Sequence, residues 1–263
     1  MALRVHIDPD AIRAALEAAV HADPVRGTTL GTLAVSLEDG AWCAESAAGL
    51  AARSGAEYPL VIAGEWDATA LGELIAALYA VPGLRGASGP AEAVEAVVAA
   101  LWPGAPVRRM GQCLFRLDEL VEPIGVPGSG RRADEGDREL VRVWFRAFME
   151  EADAVERHAE RAADRALDAG GCLLWLDDCA APVSLAARRP VLAGSARIGP
   201  VYTPPKHRGR GYGSAITALA TRSILDEGGV PVLFTDLANP TSNKIYRALG
   251  YRPVEERIIV TLK

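Results

Sequence analysis

The chain has 263 residues and a formal net charge of −6; half of it is hydrophobic and 24% is charged. That length suits two domains, and the composition suits a soluble globular protein with a sizeable core. The acidic balance argues against non-specific nucleic-acid binding, which needs a basic surface.

Residues 10–21 (DAIRAALEAAVH) have helical periodicity, with Ile12, Leu16 and Ala19 or Val20 inward. Thr29–Leu37 reads as a strand, and the turn Glu38-Asp39-Gly40 suggests a hairpin into Ala41–Glu45. Pro59–Ala63 (PLVIA) is a short apolar strand, and Ala68–Tyr79 a helix ended by Pro82-Gly83. Leu84–Ser88 reads as a further strand. The stretch SGPAEAVEAVVAALW then predicts a helix with Pro90 near its first turn and Val94, Val97, Val98 and Leu101 on one face. Val107–Leu117 predicts a long strand.

Composition shifts at EPIGVPGSGRRADEGD, residues 122–137, where Pro, Gly and charge mark a boundary. Asp137 is a candidate cap for a helix over Arg138–Glu150, whose apolar side is Leu140, Val141, Trp144, Ala147 and Phe148. A charged helix from about Asp153 to Ala169 stops at Gly170-Gly171. Strands are expected over Cys172–Leu176, Pro182–Ala187 and Ser195–Tyr202. Cys43, Cys113, Cys172 and Cys179 form no CxxC pair and have no histidine at metal-ligand spacing, so they read as buried small hydrophobes in a reducing compartment and no metal site is expected. MALRVHIDPD lacks an apolar core of signal-peptide length, and the run Leu74–Leu84 is too short to span a bilayer. A cytoplasmic protein without a membrane partner is expected.

The stretch YTPPKHRGRGYGSA, Tyr202–Ala215, gathers basic side chains and bare backbone at the start of a helix of about Ser214–Glu227. That helix is expected to bury Ile216, Leu219, Ala220 and Ser223 or Ile224. A helix start offers unsatisfied N–H groups and a partial positive charge, and glycines let a ligand approach them. Together they suit a phosphate, with Arg208 and Arg210 adding charge and no carboxylate within the stretch. No lysine follows the glycines, so this is not a P-loop. Gly209, Gly211 and Gly213 do not match GxGxxG, because Ser214 stands where its third glycine belongs. What fits is RxxGxG: Arg208, Gly211, Gly213.

A second motif, LFTDLANPTSNKIYRALGYRPV, runs from Leu233 to Val254. Asn239 is a good N-cap, Pro240 suits a first helical position and Gly250 a left-handed stop. Ile245, Ala248 and Leu249 are expected in the core, while Asn239, Asn243, Tyr246 and Gly250 share another face.

The two motifs together resemble the GCN5-related N-acetyltransferase family over residues 126–263. The resemblance implies an α/β fold with a mixed sheet and an acetyl-CoA-binding catalytic domain there. It also implies that backbone amides of Arg208, Gly209, Arg210, Gly211, Tyr212, Gly213 and Ser214 hold the pyrophosphate of coenzyme A. The strand before the loop would splay and offer N–H groups around Val201, Tyr202 and Thr203 to the thioester and pantetheine. Gly199-Pro200 suits such an irregular strand. Asn239 and Asn243 would flank pantetheine, and Tyr246 would protonate the leaving thiolate. The implied reaction is direct acetyl transfer to a primary amine of a small molecule or peptide. Glu150, Glu151 and Asp236 are candidate bases by position only. His207 reads as a surface histidine; His6, His21 and His158 have no evident partner, and Trp144 or Trp175 could edge the acceptor pocket.

Residues 1–125 contain neither RxxGxG nor NPxSxxxY. Their element order resembles a degenerate acetyltransferase-like domain, giving a tandem arrangement; an accessory α/β domain is the alternative. A homodimer is left open. The rival readings are a non-catalytic acyl-CoA-binding or sensing module, which would not need Tyr246, and a nucleotide-binding enzyme using the same loop.

Overall fold

The computed structural model describes residues 3–152 and 159–263. Two compact units are present. The first comprises Met1–Leu114, Thr235–Asn239 and Pro253–Lys263, and the second Phe115–Phe234 and Pro240–Arg252.

In chain order the first repeat of elements is β1 (Arg4–His6), α1 (Pro9–Ala22), α2 (Thr28–Ala34), β2 (Trp42–Glu45), β3 (Gly49–Arg53), β4 (Leu60–Gly64), α3 (Ala68–Leu78), β5 (Gly86–Gly89), α4 (Ala91–Leu101) and β6 (Val107–Leu117). The second is β7 (Ser129–Arg132), α5 (Arg138–Glu151), α6 (Ala159–Asp168), β8 (Cys172–Leu176), β9 (Pro182–Arg188), β10 (Ser195–Tyr202), α7 (Tyr212–Leu225), β11 (Val230–Asp236), α8 (Pro240–Ala248) and β12 (Tyr251–Leu262). The same succession of strands and helices thus occurs twice. It is a mixed α/β fold, because each repeat has antiparallel strands and one parallel pair.

In the first unit β1, β2, β3 and β4 pair antiparallel in sequence order, and β4 pairs parallel with β5. Beyond β5 comes β12, antiparallel, with Ile258 opposite Gly89. That pairing draws the end of the chain into the first unit and makes the units discontinuous in sequence. Leu60, Ile62, Leu74, Val94, Val97 and Val260 are among the buried side chains of its core. Asp8 and Asp67 cap α1 and α3 by accepting the N–H groups of Ala11 and Ala70.

In the second unit β7, β8, β9 and β10 pair antiparallel, and β10 pairs parallel with β11. Helices α5 and α6 bury Val141, Trp144, Phe145, Ala163 and Leu167 against Cys172, Leu174, Leu185 and Tyr202 of the sheet. Helix α7 buries Ile216, Ala220 and Ile224, while Leu219 is half-buried.

Several expectations change. Thr28–Ala34 is helix α2, not a strand, so no hairpin joins it to β2. Its β-branched threonines mimic a strand pattern, but Leu30, Leu33 and Ala34 share a buried helical face, and the Thr32 hydroxyl donates to the Thr28 carbonyl. Strand β3 lies in a stretch to which the sequence assigned no element, and β7 lies within the stretch read as a boundary. Asp137 does not cap α5. Its carboxylate accepts from Arg131 (2.6 and 2.9 Å) and from the Asp134 N–H, closing a capping box on a short 3₁₀ turn. Cys179 is exposed, whereas Cys43, Cys113 and Cys172 are buried; burial pushes the Cys43 and Cys172 thiols up to about 12. Ala248 is exposed rather than in the core. The expected start of α6 at Asp153 and the residue His158 lie outside the described residues. Among the described residues no helix is long and apolar enough to cross a membrane.

Candidate acyl-coenzyme site

The site is built on the irregular end of β10. Ladder pairing of β10 with β11 runs from Ser195 opposite Val230 to Ile198 opposite Leu233 and stops there. On its other side, β10 slips register against β9 between Ile198 and Val201. The slip falls at Gly199-Pro200, where proline cannot donate to a ladder.

The direction of the Val201 N–H follows from the pairing. In β9, Arg188 donates to Gly171 beside β8, while Arg189 donates to Arg197 of β10. Alternation then turns Leu185 toward β10 and Ala186 toward β8. Past the slip, Val201 stands opposite Ala186 and Tyr202 opposite Leu185. Tyr202 therefore bonds β9, and Val201 directs its N–H to the side from which β11 has departed. Thr203 follows Val201 in this alternation. Its carbonyl accepts from Arg208 Nε at 2.8 Å, and its hydroxyl meets Ser184 Oγ at 2.8 Å.

The glycine loop comes next. Gly211 has φ +83 and is the N-cap of α7. A Cβ there would lie 2.8 Å from Val126 Cγ2, so the position needs glycine for its conformation and its neighbour. Gly209 also has positive φ, +76. Gly213 differs: it has no positive φ, and a Cβ would meet only Thr203 Oγ1 at an ordinary 3.5 Å. The protein itself does not require a bare backbone at Gly213, which is what a closely approaching ligand requires. Among the described residues, no backbone N–H from Gly209 to Ser214 has a protein acceptor; the next, of Ala215, bonds Gly211 O at 3.0 Å. Orphan donors at a helix start, next to left-handed glycines, form a nest for an anion.

The loop's side chains have distinct fates. Tyr212 is buried, Ser214 half-buried and Arg210 exposed. Among the described residues Arg210 has no ion-pair partner. Arg208 is engaged: its NH2 group donates to both Glu151 oxygens, at 2.8 and 2.6 Å, and its guanidinium lies 5.9 Å from the Tyr202 ring centroid. Tyr202 OH donates to the same carboxylate at 3.3 Å. The sequence shows no carboxylate near the loop, yet the fold brings one from the end of α5. Partial burial, then the charges of Lys206 and Arg210, hold His207 below the usual imidazole range.

On α8, Tyr246 is buried and stands edge-on to Tyr251 with ring centroids 6.2 Å apart. Its phenol bonds the Ser242 side chain, but burial is the larger influence and pushes it up to about 12. Tyr251 is fixed beneath by a 2.6 Å bond between its OH and Thr221 Oγ1. Asn243 is half-buried on α8. Asn239 precedes Pro240 and donates its N–H to Asp236 O, in a stretch belonging to the first unit. Asp236 also accepts the Ala238 N–H at 2.8 Å, as a turn-forming residue does. Trp144 packs in the α5 core, and Trp175 donates to the Pro127 carbonyl at 2.9 Å. Ser184 and Val126 were not legible as neighbours of Thr203 and Gly211, being distant in sequence, and Glu151 was read as a candidate base rather than as the partner of Arg208; Ser242, four before Tyr246 on a helix, carried a positional signal.

The model of the FR47-like protein family matches residues 180–260, which include the glycine loop and α8. No curated protein matches the chain in sequence. Among solved structures, a Drosophila protein aligns with TM-score 0.72 at 12% identity, over 99% of this chain and 98% of its own. A GNAT-family acetyltransferase of Colwellia psychrerythraea aligns with TM-score 0.62 at 11% identity, covering 100% of both chains. A GCN5-related N-acetyltransferase of Kribbella flavida aligns with TM-score 0.63 at 20% identity, over 91% of this chain and 94% of its own. At these identities the likeness is one of fold.

Proposed function

We propose that this chain, which has the fold of the GCN5-related N-acetyltransferases, transfers an acetyl group from acetyl-coenzyme A directly to a primary amine of a small molecule or peptide. The observation that carries the reading is the row of unpartnered amides from Gly209 to Ser214 beside the free edge of β10 at Val201. A diphosphate matches the nest in charge and donor count, and Gly213 leaves room for it. Arg210 adds an exposed positive charge.

Coenzyme A supplies the acetyl group as an activated thioester. The protein's part is to position and polarise. The Val201 N–H is aimed into the gap between β10 and β11, where it would stabilise negative charge developing on a carbonyl oxygen. The amine must lose a proton before it attacks. Glu151 is a poor choice of base, because its oxygens are committed to Arg208 and Tyr202. Asp236 is engaged in its turn. Glu150 is exposed, and water in the cleft is the simplest relay.

Tyr246 is the acid of this reading. A phenol near 10 and a thiol near 8.5 exchange a proton easily. Burial at about 12 widens that gap, so the phenol serves the departing sulfur as a hydrogen-bond donor more than as a free acid. The same burial favours a second reading, a module that binds acyl-CoA without transferring the acyl group.

The test is calorimetry with CoA, ATP and NAD, followed by acetyl transfer to a panel of amines. CoA should bind in preference to both nucleotides. Tyr246→Phe should lower kcat about 10- to 100-fold while leaving the CoA Kd within about twofold. Preference for ATP or NAD overturns the site assignment. CoA binding with no turnover on any amine, in wild type and variant alike, selects the binding module.

A further inference from the structure

We infer that Glu151, at the end of α5, is a positioning residue for coenzyme A and that it acts through Arg208. The inference rests on the proposed function above, because the ligand of the loop is the coenzyme named there.

Arg208 opens the loop whose amides, Gly209 to Ser214, have no protein acceptor among the described residues. A free arginine there would be read as a phosphate ligand. This one is engaged through Nε and NH2, with NH1 left over. Its Nε donates to the Thr203 carbonyl, at the end of the free edge of β10. Its NH2 group bridges both Glu151 oxygens at 2.8 and 2.6 Å. Its Cζ lies 5.9 Å from the Tyr202 ring centroid, and the Tyr202 hydroxyl reaches the same carboxylate at 3.3 Å. One guanidinium therefore ties together the strand edge that would take the thioester, the loop that would take the diphosphate, and the end of α5. An arginine fork fixes direction as well as distance.

The consequence has an unexpected sign. Glu151 is a carboxylate placed near a site for a strongly anionic ligand. On charge alone it repels coenzyme A, and neutralising it should tighten binding. If its work is instead to hold Arg208 in the bridging rotamer, neutralising it lets the loop entry relax and weakens binding. Both side chains of the pair are about half exposed, 47% and 46%, so the pair contributes little to global stability and its variants will fold.

The experiment is calorimetric titration of wild type, Glu151→Gln and Arg208→Lys with CoA, alongside thermal melts. We expect CoA to bind Glu151→Gln about tenfold more weakly than wild type at an unchanged thermal midpoint. We expect Arg208→Lys to be weakened to a similar degree, because it keeps the charge and loses the fork. Equal or tighter CoA binding by Glu151→Gln overturns the inference, as does full affinity in Arg208→Lys, which would make Arg208 a simple phosphate counter-charge. If wild type itself fails to bind CoA, the proposed function falls first and this inference with it.

Discussion

Gly211 and Gly213 sit two residues apart in one motif and are glycine for different reasons. Gly211 adopts φ +83 against Val126, so any side chain there strains the backbone whatever the ligand. Gly213 is the first turn of α7 in ordinary helical space with room for a side chain. Gly213→Glu is therefore the cleaner probe. An acidic residue in the first turn of a helix is no burden to the fold. Its carboxylate would enter the nest and meet the diphosphate within a few ångströms, where like charges near a surface repel by about 4 kcal/mol. We expect CoA affinity to fall at least about 100-fold with a thermal midpoint within about 2 °C of wild type; undiminished affinity in calorimetry would show that the loop is not the coenzyme site. The glycines and Tyr246 were legible in sequence because glycine and phenol each have few uses at such spacing. The partner of Arg208 was not, because Glu151 lies 57 residues away and only the packing of α5 brings it near.

At the scale of elements, two joints govern how the second unit presents its site. The first is the end of α8. Gly250 adopts φ +97, and a Cβ there would come within 1.7 Å of the Glu119 carbonyl oxygen. The chain turns here into β12, and Gly250 O accepts from Asp118 while Leu249 O accepts from Val121. Gly250→Ala should cost at least about 2 kcal/mol in chemical unfolding, from left-handed strain plus a backbone clash. The second joint is the entry to α5. The Arg131 guanidinium holds the Asp137 carboxyl below the usual carboxylate range, outweighing partial burial, with help from the Asp134 N–H. Its folded value is depressed, so its stabilisation is full above the unfolded value of about 4 and is lost as the pH falls through the lower folded value. Asp137→Asn should destabilise by about 1–3 kcal/mol at pH 7, and the difference from wild type should shrink below pH of about 4. A difference independent of pH would mean that shape rather than charge holds the joint. Helix α5 itself was legible from its apolar side, but the role of Asp137 was not: a carboxylate before a helix signals a cap, and only the return of β7 brings Arg131 to compete for it. Helix α2 misled for the opposite reason, since its threonines satisfy a strand pattern that packing on α1 overrides.

At the scale of the whole molecule, the doubled order of elements sets the question of how many coenzymes one chain holds. Each repeat has a strand, a loop and a helix leading to a parallel neighbour: β10, α7 and β11 in one, β4, α3 and β5 in the other. The sequence shows this likeness in the order of elements alone, because the first copy keeps the elements and none of the motifs. In the first unit the equivalent features are filled from within. β4 pairs with β3 from Gly49–Gly64 to Ala52–Val61 without a register slip. The α3 N-terminus has its own carboxylate, since Asp67 accepts the Ala70 N–H at 2.8 Å, and Glu65 lies two residues before it in the chain. Past the last parallel pair, Val61 with Ser88, the Ile62 carbonyl accepts from the buried Arg257 guanidinium at 2.8 Å. An anion approaching this loop would meet Asp67 and Glu65 instead of orphan amides, and a chain entering the strand gap would have to displace a buried arginine. We therefore expect a titration of the full chain with CoA to saturate at one molecule per chain, and Gly213→Glu to abolish that binding rather than halve the stoichiometry. Two equivalents bound by wild type, or one retained by the variant, would show that the first repeat keeps a working coenzyme site despite Asp67 and Arg257.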